Sequence, residues 1–150
     1  MKEKMFELVE HIPKLIIATV IGGCVGAERA MKNKSVGYGT CATITLTTTM
    51  LTILGEYALG GEMGGRFISN IITAIGFLCG SVIFVRHNSA NDDDEIVGLT
   101  TGAILFCLAS IGVAIGLGYY VFVTVAVVLV LINVSISKSI RKIFVKDDVV

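Results

Sequence analysis

Long uncharged stretches recur along this chain. A helix that crosses a bilayer needs about 20 consecutive, mainly apolar residues. Ser35 to Gly55 contains no charged side chain, and neither does Phe67 to Val85. Between Glu95 and Lys138 lie 42 uncharged residues, room for two spans. Near the middle of that stretch stands Gly116-Leu117-Gly118-Tyr119-Tyr120. Glycines suit a turn, and tyrosines suit the headgroup level, so the pattern predicts helices over about 97–116 and 119–137. The first apolar stretch, Leu15 to Ala27, has only 13 residues. It predicts a span that is tilted, thin or incomplete, lengthened if Lys14 snorkels to the interface. Upstream, Met5, Leu8, Val9 and Ile12 share one helical face, and Glu3, Glu7, Glu10 and Lys14 share another. Residues 3–11 thus read as an interfacial amphipathic helix, with Pro13 suited to the first turn of the next one.

The expected fold is an all-α, polytopic transmembrane helical bundle of about five spans behind that amphipathic helix. It divides into residues 1–12, a membrane domain at 13–137 and a short basic tail at 138–150. Basic residues set the orientation. Arg29, Lys32, Lys34, Arg86, Lys138, Arg141, Lys142 and Lys146 fall on one side of a five-span chain. Lys2, Lys4, Lys14 and Arg66 fall on the other. The excess places the N-terminus outside and the C-terminus in the cytoplasm. The N-terminal segment lacks a small-x-small cleavage site, so it does not read as a signal peptide.

Composition agrees with a membrane protein. The 150 residues are 54% hydrophobic and 16% charged, and mean hydropathy is +0.84. Soluble domains carry about 25% charged residues. The formal net charge of zero gives no electrostatic footprint for nucleic acid. Cys24, Cys41, Cys79 and Cys107 lie singly in apolar stretches, which fits reduced, packing cysteines better than zinc ligands or disulfides. No nucleophile–base pair, phosphate-cradling loop or histidine cluster stands out, so neither an enzyme nor a bound cofactor is expected.

Several polar and small residues are candidates for function. Gly22/Gly26, Gly76/Gly80, Gly98/Gly102 and Gly112/Gly116 repeat at a spacing of four, which lets another helix approach closely. Packing within the bundle is the plainer reading; a contact face for another membrane protein or a second copy is the sharper one. In the second span Thr40, Thr43 and Thr47 share a face, and Thr45, Thr49, Thr52 and Glu56 share another. These threonines either bond back to their own helix or line an ion or proton path with Glu56 at its mouth. Glu28 is either an interfacial anchor beside Arg29 or a carboxylate turned inward onto a basic partner. Asp92, Asp93, Asp94 and Glu95 invite a hard cation. A solvated loop favouring the next helix through its dipole is the plainer reading. Asn70 and Asn133 are expected to bond across helices.

The order of motifs resembles the membrane domain of the MgtC/SapB family. Gly26-Ala27-Glu28-Arg29 matches the family's G-x-E-R, and Gly37-Tyr38-Gly39-Thr40 its G-x-R-T, with Gly39 in place of the arginine. Arg66 follows, with Glu62 as the acidic residue before it. Then come Ile75-Gly76-Phe77-Leu78-Cys79-Gly80-Ser81-Val82-Ile83, with Cys79-Gly80-Ser81 for G-A-G, and Gly98-Leu99-Thr100-Thr101. The glycine-rich turn beginning at Gly112 and Gly116 closes the series. The resemblance covers about residues 20–120. The C-terminal cytoplasmic domain that some members carry is not expected from the residues matched. The resemblance implies a bacterial inner-membrane protein linked to growth at low magnesium and survival inside host phagocytes. It also implies a regulator restraining another membrane complex, the F-type ATP synthase, rather than a magnesium carrier. An oligomeric magnesium or proton transporter is the rival expectation. Expected partners are the lipid bilayer and a membrane protein or a second copy.

Overall fold

A computed structural model of the protein describes residues 9–88 and 93–144. Five helices run in the order α1 (Ile12–Met31), α2 (Tyr38–Leu59), α3 (Gly61–Ser81), α4 (Leu99–Gly116) and α5 (Tyr120–Phe144). Between α3 and α4 lies an antiparallel hairpin, β1 (Phe84–Asn88) and β2 (Asp93–Val97). Most of the expected amphipathic helix, residue Asp92 and the end of the tail lie outside the described residues.

The helical bundle agrees with the sequence pattern; its boundaries move for identifiable reasons. Helix α1 begins beside Pro13 and continues four residues past Ala27 to Met31. Its 20 residues reach about 30 Å at 1.5 Å each. The charged residues 28–32 prolong this helix because the bundle supplies partners for them. Helix α2 stops at Gly60, whose φ of +59° is left-handed, a conformation that glycine adopts without steric cost. Its N–H donates to Glu56 O at 3.0 Å. Helix α3 starts at the next residue, six earlier than the uncharged stretch, and ends at Ser81 because 84–88 pair as a strand. Helix α5 continues through the basic tail to Phe144 without a break.

The hairpin departs from the purely helical expectation. Its register sets Arg86 opposite Glu95, opposite charges that stabilise a strand pair, and His87 opposite Asp94. At its end Gly98 has φ +93°, and a Cβ there would strike Val82 O.

Helices α3 and α4 are long and apolar enough to cross a membrane, and Tyr120–Val134 of α5 forms a shorter apolar segment. Helix α4 is the most enclosed. Ile104, Leu105, Leu108 and Ala109 pack with Val25, Cys41, Ile44 and Cys79. One turn further, Ile111, Ala114 and Ile115 pack with Ala18 and Val123. Helices α2 and α4 meet backbone to side chain. A Cβ on Gly112 would collide with Thr48 Oγ1 and lie 2.6 Å from Thr45 O; one on Gly116 would lie 2.7 Å from Thr52 Cβ. Gly22 brings α1 equally close, 2.7 Å from Cys41 O.

Gly112→Ala should therefore lower the stability of the detergent-solubilised protein by about 1–3 kcal/mol through overpacking. Gly65→Ala, whose Cβ meets nothing within 4 Å, should leave it unchanged or raise it by up to about 1 kcal/mol through helix propensity. Equal melting shifts for the two variants would refute the close α2–α4 contact.

Candidate functional site

The largest fully buried side chain is a charged one, Arg29, at 2% exposure. It lies in the last turn of α1, where the negative end of the helix dipole favours a cation. Its Nε donates to Val36 O at 3.1 Å, and its Nη2 donates to Thr101 Oγ1 at 3.0 Å. No carboxylate pairs with it among the described residues. The guanidinium thus joins the end of α1, the α1–α2 loop and the first turn of α4 through neutral oxygens.

Lys32, one turn from Glu28, donates to Val134 O of α5 at 3.2 Å and pairs with Glu28 Oε1. Both Glu28 oxygens are enclosed, and no donor but that ammonium reaches them. Glu28 has therefore turned inward, as one of the two sequence readings had it, and its basic partner comes from its own helix. Beneath this pair, Gly26 abuts the start of α2: a Cβ would lie 2.7 Å from Tyr38 Cα and 2.9 Å from Gly37 O. Gly102 lies as tightly on the end of α3, 2.7 Å from Cys79 O.

The motif residues Gly26, Glu28, Arg29, Gly37, Gly98 and Thr101 thus converge at one end of the bundle. Leu99, Thr100 and Thr40 stand exposed on the first turns of α4 and α2 at that same end. Gly39, where the family arginine would stand, faces open space. Lys32, Val36 and Gly102 also belong to this cluster. Only the Gly98/Gly102 spacing signalled any of the three in the sequence.

Other candidates lie elsewhere. Arg66 is exposed at the opposite end and pairs with Glu62 at 3.1 Å. Gly112 and Gly116 pack against α2. On α3, Gly76 is half-buried with Phe106 Cε2 3.9 Å from its Cβ position, whereas Phe77 and Leu78 are exposed and Gly80 meets nothing within 4 Å. Asn133 donates to Leu129 O of its own helix at 3.0 Å. Asn70 is exposed and has no hydrogen-bond partner among the described residues. The expected cross-helix bonds are absent at both.

Of the threonines, Thr45, Thr48, Thr49 and Thr52 are fully buried; Thr48 was not singled out by spacing. Thr45 donates to Cys41 O at 3.0 Å, Thr48 to Ile44 O at 2.9 Å and Thr52 to Thr48 O at 2.7 Å. Thr49 Oγ1 lies 2.8 Å from Thr45 O and 2.9 Å from Gly112 O of α4. Thr40 and Thr43 are exposed, and Thr47 is half-buried. Glu56 is exposed rather than part of the buried face. It lines a cleft of about 480 Å³ with His11, Lys14, Tyr57 and Tyr119. Lys14 Nζ donates to Gly116 O at 2.8 Å, at the end of α4.

The acidic cluster is not a solvated loop leading straight into α4. Asp93, Asp94 and Glu95 belong to β2. Glu95 Oε2 accepts from Arg86 Nη2 at 3.1 Å, and Asp94 Oδ1 lies 3.0 Å from His87 Nδ1. Among the described residues no group of three or more metal-binding side chains forms. The four cysteines are free thiols.

Hydrogen bonds to a charged group contribute about 1.5–3 kcal/mol each. Arg29→Met and Thr101→Val should therefore couple by about that amount in a double-mutant cycle of unfolding free energies. Additive losses would mean that the two side chains do not share a bond.

Comparison with known proteins follows this geometry. The sequence profile of the MgtC family matches residues 15–143. The chain is 37% identical to Protein SapB of Bacillus subtilis over 111 residues, 69% of this chain and 46% of that protein. It is 32% identical to Protein MgtC of Salmonella typhimurium over 116 residues, 77% of this chain and 47% of that protein. It is 31% identical to the putative magnesium transporter YhiD of Escherichia coli over 115 residues, 71% of this chain and 51% of that protein. The chain thus spans about half the length of these relatives. No solved structure gives a significant match. A profile match over most of the chain, with the G-x-E-R and G-L-T-T residues meeting at one buried arginine, places this membrane protein in the MgtC family.

Proposed function

We propose that this chain is a regulatory protein of the bacterial inner membrane, acting through contacts with another membrane complex rather than by carrying an ion. Five helices cross the bilayer, with the N-terminus outside and the arginine cluster at the cytoplasmic end. The role belongs to adaptation to low magnesium or acid, and to virulence. The F-type ATP synthase is the first complex to test as its target. The carrying observation is that the buried threonine and basic side chains of the bundle are engaged within it, and that the enclosed Glu28 is paired with Lys32. The four buried threonines bond to backbone carbonyls, and Arg29 and Lys32 bond to α4, α5 and the α1–α2 loop. The acidic side chains described lie at helix ends or in the hairpin. A conducting path needs polar or ionisable groups facing a cavity within the span, and this core has none to offer among the described residues.

The second reading is an oligomeric magnesium or proton transporter. It is favoured by the cleft beside Glu56 and by the name of the Escherichia coli relative. Purified protein in liposomes loaded with magnesium- and pH-sensitive dyes decides between them. The regulatory reading expects liposomes as tight as empty ones. Saturable flux that Glu56→Gln abolishes would overturn it in favour of transport.

A further inference from the structure

We infer that the cleft at the Gly116 end of the bundle holds one phospholipid with a zwitterionic, primary-ammonium headgroup, its acyl chains lying along α1 and α5. This goes beyond the regulatory reading and does not depend on it, since a regulator or a transporter is equally able to carry a bound lipid.

The cleft lies at headgroup level. Helix α4 is long and apolar enough to cross a membrane, and it ends at Gly116. Gly116 and Tyr119 line the cleft with His11, Lys14, Glu56 and Tyr57. Tyrosine side chains favour that depth.

The charges in the cleft select the ligand. Helix α1 contributes the Lys14 ammonium and α2 the Glu56 carboxylate, and neither forms an ion pair among the described residues. An ammonium carries three N–H donors, and one of Lys14's goes to Gly116 O at 2.8 Å. The other two are left for a ligand. A lone anion would be repelled by Glu56. A lone hard cation would be repelled by Lys14, and it needs several oxygen ligands where the cleft offers a single carboxylate. A molecule carrying both charges answers both groups. In phosphoethanolamine the phosphate accepts from Lys14, and the ammonium donates to Glu56. A choline headgroup has the same charges but no N–H to donate, and a glycerol headgroup has no cation.

Two apolar grooves adjoin this cleft. On α1, Leu15 and Thr19 follow His11 at intervals of four, on one helical face. They line a groove of about 260 Å³ with Ile12, Val20 and Leu46. Leu46 stands ten residues before Glu56 on α2, about 15 Å deeper at 1.5 Å per residue. The Thr19 hydroxyl donates to Leu15 O at 2.8 Å, so it brings no free donor to the groove. Tyr119 is shared between the cleft and a second groove of about 570 Å³, which continues over Val121, Phe122 and Val125 of α5. A cleft with both charges and two apolar grooves beside it match one headgroup and its two chains.

The test uses the full chain, delipidated in detergent. It is titrated with phosphatidylethanolamine, phosphatidylcholine or phosphatidylglycerol of identical acyl chains, and bound lipid is counted by native mass spectrometry. One phosphatidylethanolamine per chain is expected at saturation. It should bind at least about tenfold tighter than the other two, the effect of one hydrogen bond to a charged group. Glu56→Gln should remove that preference, and Glu95→Gln, in the hairpin at the opposite end, should keep it. Because Glu56 is exposed, the Glu56→Gln chain should melt at the wild-type temperature without lipid. Leu15→Trp, which fills the α1 groove, should weaken phosphatidylethanolamine binding and leave that of soluble phosphoethanolamine unchanged. Ion flux plays no part in this readout, so neither outcome of the liposome experiment decides it. Equal affinity for the three lipids would overturn the inference, as would a preference that survives Glu56→Gln. So would soluble phosphoethanolamine bound as tightly as the lipid, or a Glu56→Gln chain destabilised in the absence of lipid.

Discussion

A buried charge that must be satisfied by neutral oxygens is the constraint on which the rest of the bundle depends. Leaving a polar group unpaired in an apolar interior is costly, and α1 carries three long basic side chains directed into the bundle. Each ends on an oxygen of another segment. Lys14 reaches Gly116 O at the end of α4, Arg29 reaches Val36 O and Thr101 at its beginning, and Lys32 reaches Val134 O of α5. Lys14 and Arg29 therefore fasten α1 antiparallel to α4 at both ends. Between them, Gly22 and Gly26 on α1 and Gly112 and Gly116 on α4 all pack against α2.

The same rule organises α2. Its buried threonines give the helix a polar composition without a polar surface, because each hydroxyl folds back onto a carbonyl. Thr49 goes further and lies within bonding distance of Gly112 O, where the absent side chain lets α4 come near enough. Polar residues in this core thus serve closure of the bundle. Helix α3 is the exception. It turns Asn70, Thr73 and Gly80 outward, beside the exposed Phe77.

Much of the fold was legible in the pattern of charges and apolar runs. The helices α2, α4 and α5 come directly from uncharged stretches, and the glycine turn at 116–118 separates the last two. Three features were not legible. The length of α1 was hidden because Glu28, Arg29 and Lys32 look like a helix end until their tertiary partners are known. The hairpin was hidden because its strands are five residues each and its stabilising pairs, Arg86–Glu95 and His87–Asp94, lie across a turn. The acidic run therefore looked like a metal-binding or solvated loop. The side of α3 that faces outward was hidden because Asn70 reads equally well as glue inside the bundle. At the candidate site, the Gly26–Arg29 and Gly98–Thr101 motifs were legible in the sequence, but only the fold shows that Thr101 is the acceptor for Arg29.

The central claim is that the Arg29 guanidinium holds the α1–α2 loop and the start of α4 together. Hydrogen exchange on the protein in lipid nanodiscs, wild type against Arg29→Met, tests it most directly. The account predicts faster exchange confined to residues 32–40 and the first turn of α4, with α3 unchanged. Unaltered protection at both of those segments would contradict it.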